Sequence, residues 1–381
     1  MSMEHKKIYI TSLHMKHGGV EMMIASLANA FVERGAEVEI LCTYHLGEPV
    51  YTLSPDVKIR YLTDVHPNRE DFQQAIREKR LLSILHEGIY ALKVLYLKKK
   101  TMKQALSEIT EGTVVSTRNE HSVLLSKYGR PGVHKIAQLH HDHAFDQKLI
   151  SDFQKHYENI DEFLILTPQN TKEIQDFIKD HNSHMKCLTV PNFVENLYHG
   201  PWPERKNQVI AVGRLAPEKG FDRLLAIWQQ ASTRLPGWTL KIIGEGQEMK
   251  TLREKARSLG IEDSVCFSGA LPHEEVLREM ASSKIYAMTS FTESFGLVLV
   301  EAQSCKLPVI AFDVRVGPRA ILTEGKDGFL VKDGDLAEFC EKMIALAANE
   351  EVRSAFGENA RENAKKFEKD RVMQLWEKIL L

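Results

Sequence analysis

The sequence predicts an α/β protein of two domains, each built on a doubly wound parallel sheet. Its 381 residues are enough for two separate cores. The same order of strand, glycine-bearing loop, helix and strand opens both halves. The stretch between them, VPNFVENLYHGPWPERKN, breaks regular structure with Pro191, Gly200, Pro201 and Pro203.

In the first half, KKIYITS is a β-branched run. It leads through HMKHGGVE into MMIASLANAFVERG, whose apolar positions recur at helical spacing and stop at Gly35. AEVEILCTY follows as a strand. In the second half NQVIAVGRL, WTLKIIGEG, SVCFSGAL, KIYAMTS, KLPVIAFDV and GFLV read as strands, and RLLAIWQQAS as the first helix. The tail from Val352 is helical and charged, with an apolar stripe. The domain boundary is placed at residues 195/196.

Composition removes several classes of function. A formal net charge of -2 leaves no bulk cationic excess for general nucleic-acid binding. Cys42, Cys187, Cys266, Cys305 and Cys340 are scattered and form no CxxC pair, as in reduced thiols of a cytoplasmic protein. No apolar run reaches transmembrane length, and the start is too short and polar for a signal peptide.

The most informative stretch is ESFGLVLVE. Glu293 lies on a loop after a strand, Ser294, Phe295 and Gly296 make a turn, and Leu297 opens a helix that carries Glu301. A helix start offers free N–H groups, and two carboxylates beside it can accept bonds from several hydroxyls. GRLAPEKG adds Arg214 and Lys219 at another strand end, where open α/β sheets bind ligands. Two cations there suit a diphosphate; a solvated loop is the plain alternative. Gly18 and Gly19 fit an anion at a helix N-terminus, although a tight turn alone accounts for them. Gly244 and Gly246 line a base or ribose pocket or make a plain turn. Neither half has the third glycine of the dinucleotide fingerprint.

HHDH (His140 to His143) ends a strand. It reads as a catalytic or acceptor-positioning His140, as metal ligands, or as exposed polar loop. Adjacent residues point to opposite sides, which disfavours a metal site from this run alone. DGD (Asp333 to Asp335) reads as a helix cap at Asp335. Residues 77–106 interleave Lys and Arg with Leu, Ile and Tyr at helical spacing. They suit either an anionic membrane surface or a core-facing helix with a solvated basic side.

In order, GG, GR-x4-KG, GEG and E-x7-E followed by LP resemble the family-4 retaining glycosyltransferases of the GT-B fold, a group 1 type, across nearly the whole chain. DVRVGPRAILTEGKDGFLV is similar to the segment that follows the carboxylates in that family. The resemblance implies two Rossmann-like domains facing a cleft: 1–195 for the acceptor, 196–364 for the donor, and a helix at about 365–381 crossing back. Arg214 and Lys219 would bind the diphosphate, Glu301 the ribose and Glu293 the transferred sugar. Gly19 would approach the phosphates, and His140 would lie near the anomeric carbon. The expected enzyme is a metal- and cofactor-free hexosyl- or N-acetylhexosaminyl-transferase of polysaccharide biosynthesis. It would use a nucleotide-sugar, by family frequency UDP-linked, and a glycan or lipid-linked acceptor, and work in the cytoplasm with peripheral contact to the inner membrane surface. A phosphorylase- or synthase-like GT-B enzyme and a non-catalytic GT-B partner are the alternatives. Lys306, in a slot where the family has glycine, suggests a slightly different backbone geometry there.

Overall fold

The computed structural model describes residues 3–380; residues 1, 2 and 381, the outer ends of the expected domains, lie outside the described residues. The chain divides into two compact units: residues up to Val190 with those from Leu375 onward, and Pro191–Gln374.

The first unit runs β1 (Lys7–Ser12), α1 (Gly19–Val32), β2 (Glu37–Tyr44), β3 (Lys58–Thr63), α2 (Arg69–Arg77), α3 (Leu81–Glu108), β4 (Thr113–Ser116), α4 (Asn119–Tyr128), β5 (His134–Leu139), α5 (Gln147–Lys155), β6 (Glu162–Ile165), α6 (Pro168–Ile178) and β7 (Lys186–Thr189). The strands form one sheet in the order β3-β2-β1-β4-β5-β6-β7. Every pairing is parallel, with Ile8 beside Val38 on one side and Thr113 on the other. The strand order reverses between β1 and β4. In such sheets the crevice at that reversal is where ligands bind. The core gathers Phe153, Tyr157 and Phe163 edge to face under β5 and β6.

The second unit runs β8 (Gln208–Val212), α7 (Phe221–Ser232), β9 (Thr239–Ile243), α8 (Met249–Ser258), β10 (Val265–Phe267), α9 (His273–Ala281), β11 (Ile285–Met288), α10 (Leu297–Ser304), β12 (Val309–Asp313), α11 (Gly317–Ile321), β13 (Gly328–Lys332), α12 (Leu336–Ala348), α13 (Glu350–Ala364) and α14 (Lys369–Leu380). Its sheet is β10-β9-β8-β11-β12-β13, again all parallel, and reverses between β8 and β11. Val309, Ile310, Ala311 and Phe312 of β12 are all buried rather than alternating, because helices cover both faces. Trp228 of α7 and Phe339 of α12 fill the core on one face. The last turns of α14 belong to the first unit, where Trp376 packs edge-on to Phe31 with ring centroids 5.3 Å apart. Asp335 caps α12 by accepting from the Glu338 N–H, as the DGD reading expects.

Three features differ from the sequence reading. The strands β3, β4, β6 and β7 carry no clear pattern; three of them have four residues, too few for a period to show. The basic segment 77–106 is not one helix: α2 ends at Arg77, and α3 begins at Leu81 after Lys79 turns left-handed at φ 54°. Lys306 adopts φ 57°, so the backbone keeps the conformation a glycine would take and the lysine bears the strain.

Lys306 therefore offers a direct test of that strain. A left-handed non-glycine residue costs about 1 kcal/mol, while the exposed Lys306–Glu358 pair at 2.6 Å returns little. Lys306→Gly should raise unfolding stability by roughly 0.5–1 kcal/mol in urea titration. A lower midpoint would show that the turn is not strained.

Candidate active site

In the second unit the chain leaves β8 at Gly213 and forms a 3-10 turn over Pro217–Lys219 before Gly220, whose φ is 62°. A Cβ on Gly220 would sit 2.1 Å from the Thr289 carbonyl, so only glycine lets this loop press on the loop after β11. Thr289 Oγ1 donates to the Gly220 carbonyl at 2.9 Å. Arg223, in the first turn of α7, is buried and ties both loops together. It donates to the Thr289 carbonyl at 2.6 Å and to the Ser290 carbonyl, and pairs with Asp333 at 2.7 Å. Its guanidinium lies 4.0 Å from the ring centroids of both Phe291 and Phe312.

The clamped loops bring Lys219 Nζ to 2.7 Å from Glu293 Oε2, with both side chains mostly shielded from water. Arg214 does not join them. Its guanidinium is 71% exposed and pairs with Glu218 at 2.5 Å. Glu301 lies in α10, whose N-cap Gly296 has φ 94°. One Glu301 oxygen is 3.0 Å from His273 Nε2, and this contact raises the His273 pKa above its ordinary value against the opposing effect of burial. Gly317 supports the carboxylate loop from behind. It donates to the Glu293 carbonyl at 3.1 Å, and a Cβ there would meet the Glu293 and Phe295 carbonyls at 2.8 Å. Phe295 is buried, edge-on to Phe367, and so anchors the loop with its side chain. Ser294 and Leu297 are half-buried at the start of α10.

Gly244 and Gly246 serve a close approach of backbones. Their φ values are 142° and 158°, and a Cβ would meet the Gly213 carbonyl at 1.9 Å and the Leu215 carbonyl at 2.2 Å. Leu215 N–H donates to the Glu245 carbonyl at 2.8 Å, joining the two loops.

At the strand reversal of the first unit, Gly18 caps α1. A Cβ on it would lie 1.9 Å from Glu21 Oε2, whereas one on Gly19 would meet nothing within 4 Å. Glu21 is buried and holds Arg118, just past β4, at 2.6 Å. Arg118 Nε is buried without a hydrogen-bond partner, and so is Nε2 of His140. Burial, then the positive fields of His141 and Arg118, push the His140 pKa down to about 3, so its ring is neutral at pH 7. His143 is fully buried, with Nε2 2.7 Å from Glu173 and Nδ1 accepting from the Phe145 N–H at 3.1 Å. Both its ring nitrogens are engaged, which takes it out of the metal reading of HHDH. His140, by contrast, has a buried Nε2 with no hydrogen-bond partner among the described residues.

Four polar residues of these sites escape the motif reading: Glu21, Arg118, Arg223 and His273. Glu21 closes the GGVE string, and Arg118 follows β4 as Arg214 follows β8; those positions were the available signals. Arg223 and His273 carry none, because each sits near the start of a helix like any surface polar residue.

Residues 196–363 match the model of the family described as glycosyl transferases group 1. The chain is 34% identical over 185 residues to an amylovoran biosynthesis glycosyltransferase of Erwinia amylovora, covering 49% of this chain and 51% of that one. It is 25% identical over 378 residues to a Campylobacter jejuni α-1,4-N-acetyl-D-galactosaminyltransferase whose name specifies an undecaprenol-linked acceptor, covering 98% of both. The chain spans about half the length or less of several other curated relatives, including 39% of an exopolysaccharide phosphotransferase of Streptomyces coelicolor. Its fold superposes on S. aureus TarM with a TM-score of 0.76 at 15% identity, covering 99% of this chain and 100% of that one. Residues 196–363 are thus similar to the group 1 glycosyl transferases, in a chain whose two parallel-sheet, Rossmann-like units have the GT-B fold.

Proposed function

We propose that the protein is a retaining, metal-independent glycosyltransferase. It takes a hexosyl or N-acetylhexosaminyl group from a UDP-sugar and places it on a hydroxyl of a glycan, a lipid-linked or cell-surface polysaccharide precursor. The observation that carries this reading is the Lys219–Glu293 pair at 2.7 Å, set at the strand reversal of the second unit with Glu301 on the next helix. One ligand with a diphosphate at one end and hydroxyl-rich rings beside it satisfies all three groups. UDP is supported by the TarM structure, which was determined with UDP, and by pneumococcal GtfA, determined with UDP and GlcNAc.

The chemistry follows from charge. Cleavage between the anomeric carbon and phosphate oxygen leaves negative charge on the departing diphosphate. In this reading Lys219, now paired with Glu293, neutralises it. Arg214 needs only to leave an exposed pair with Glu218, which costs about 1 kcal/mol or less. A cation held in place like Lys219 supplies a large share of this stabilisation without a metal ion. Glu293 accepts from hydroxyls of the transferred sugar and Glu301 from the ribose. His140, neutral, is the acceptor-positioning histidine of this reading. The acceptor hydroxyl attacks from the face the diphosphate leaves, and the leaving phosphate oxygen takes its proton. A sugar trapped covalently on a protein side chain would sink this route. In the same reading, residues 77–106 make the peripheral contact with the inner membrane surface. No helix of the described residues is long and apolar enough to cross a membrane.

Glu301→Ala should weaken UDP binding at least about tenfold, since a hydrogen bond to a carboxylate is lost. Arg214→Ala and Lys219→Ala should lower kcat about a hundredfold, and EDTA should leave turnover intact. Donor hydrolysis and thermal shift against a panel of nucleotide-sugars measure both. Undiminished turnover in all three variants refutes the site, and loss of activity in EDTA refutes metal independence.

His140 also makes stability depend on pH. Its folded pKa of about 3 lies below the ordinary 6.5, so the unfolded chain binds the proton first as pH falls. The stability is whole above 6.5 and drains toward 3, by about 1.4 kcal/mol per pH unit. His121, also pushed down to about 3, adds its own share in wild type and variant alike. Urea titrations at about pH 7 and pH 5 should show a smaller acid loss for His140→Gln than for wild type. Equal losses would mean that His140 is not buried neutral.

A further inference from the structure

Among the described residues, eight of the twelve exposed large apolar side chains lie between Ile76 and Tyr96. On α3 they form one stripe. Leu81, Leu85, Ile89, Leu92 and Tyr96 recur every three or four residues, the spacing of a single helical face, and are 60% or more exposed. The stripe is about 22 Å long at 1.5 Å per residue. It is not the core-facing side. Val94 and Ala105 are buried on the opposite face, and toward the end of the helix Met102, Ala105 and Leu106 join the core of the first unit. The second half of α3 thus anchors the helix, and its first half turns leucines to solvent.

Cations bracket the stripe. Arg77, Lys79 and Arg80 precede it, with Glu78 among them paired to Arg80, and Lys99, Lys100 and Lys103 follow it, all exposed and leaving a cationic excess at both ends. Lys100 and Lys103 lie over the rings of Tyr96 and Tyr128 at 5.4 and 4.3 Å. Glu87, the acidic residue inside the stripe's span, is turned aside and bonded to Asn68.

We propose that this face of α3 docks on a bilayer of anionic lipid, its leucines entering the acyl boundary and the flanking cations meeting the headgroups. The charge pattern selects this occupant over a second copy of the chain. An antiparallel pairing of two α3 stripes would set residues 77–80 of one copy against 99–103 of the other, and a parallel pairing would set each cluster against itself. Both oppose cation to cation, whereas phosphate headgroups complement both ends at once. The inference gives the membrane contact of the transferase reading its residues and its lipid charge. It draws on that reading for nothing else, since docking needs neither donor nor turnover.

The test is co-sedimentation of the full chain with vesicles of phosphatidylglycerol and phosphatidylcholine, and with phosphatidylcholine alone. Binding to the anionic vesicles should be at least about tenfold tighter and should weaken with salt. The triple variant Leu85→Gln/Ile89→Gln/Leu92→Gln and the double variant Lys99→Glu/Lys100→Glu should each bind about tenfold more weakly or worse. Both should keep the wild-type thermal shift with UDP, which reports an intact fold. Absent binding, equal binding to both vesicles, or a dimer that the triple variant dissolves would overturn the proposal. Vesicle binding without any nucleotide response would leave it standing and count against sugar transfer instead.

Discussion

Arg223 is the interaction on which the strand-end loops of the second unit depend. A buried guanidinium is expensive unless its donors are satisfied and its charge is matched. Here the carbonyls of Thr289 and Ser290, the Asp333 carboxylate and two aromatic faces meet those demands. The result is geometric. The loops after β8 and β11 lie side by side at the strand reversal and are held at the carbonyls that define their course. Lys219 and Glu293, 74 positions apart in the chain, meet because of it. Arginine suits this role because its planar fork bonds two carbonyls and a carboxylate while its faces stack.

The two units use one architectural rule with different chemistry. Each sheet reverses its strand order once, and at each reversal the strand-end loops carry polar groups held under constraint. In the second unit the constraint is a cation paired with a carboxylate beside a helix start. In the first it is the buried Glu21–Arg118 pair and a neutral histidine with an orphaned nitrogen. The second unit thus presents a cation and carboxylates, whereas the first combines a buried ion pair with an imidazole that burial keeps neutral at pH 7.

Helix α3 shows how a correct pattern can leave an orientation open. Its helical spacing and interleaved charges were plain in the sequence, and both a membrane face and a core face fit them. Periodicity reports that a helix has an apolar side; it does not say which way that side points. Only the packing of Met102, Ala105 and Leu106 into the core decides that the earlier leucines face outward.

By itself the sequence determined the class of the fold and named charged residues in short motifs at the strand ends of the second unit. Alternating strands, glycine turns and helices admit few arrangements, and Arg214, Lys219, Glu293 and Glu301 stand in short motifs whose spacing is local. Four-residue strands such as β4 and β6 were not legible, because their length hides any period. Glu21, Arg118, Arg223 and His273 were not legible as a set either, because each acts through a partner distant in sequence. Which groups meet was a tertiary matter. It was decided by contacts that a Cβ would forbid, such as Gly220 on the Thr289 carbonyl and Gly244 on the Gly213 carbonyl. Packing too decided that Arg214 stays in solvent, that both ring nitrogens of His143 have partners, and that His140 Nε2 is buried without one.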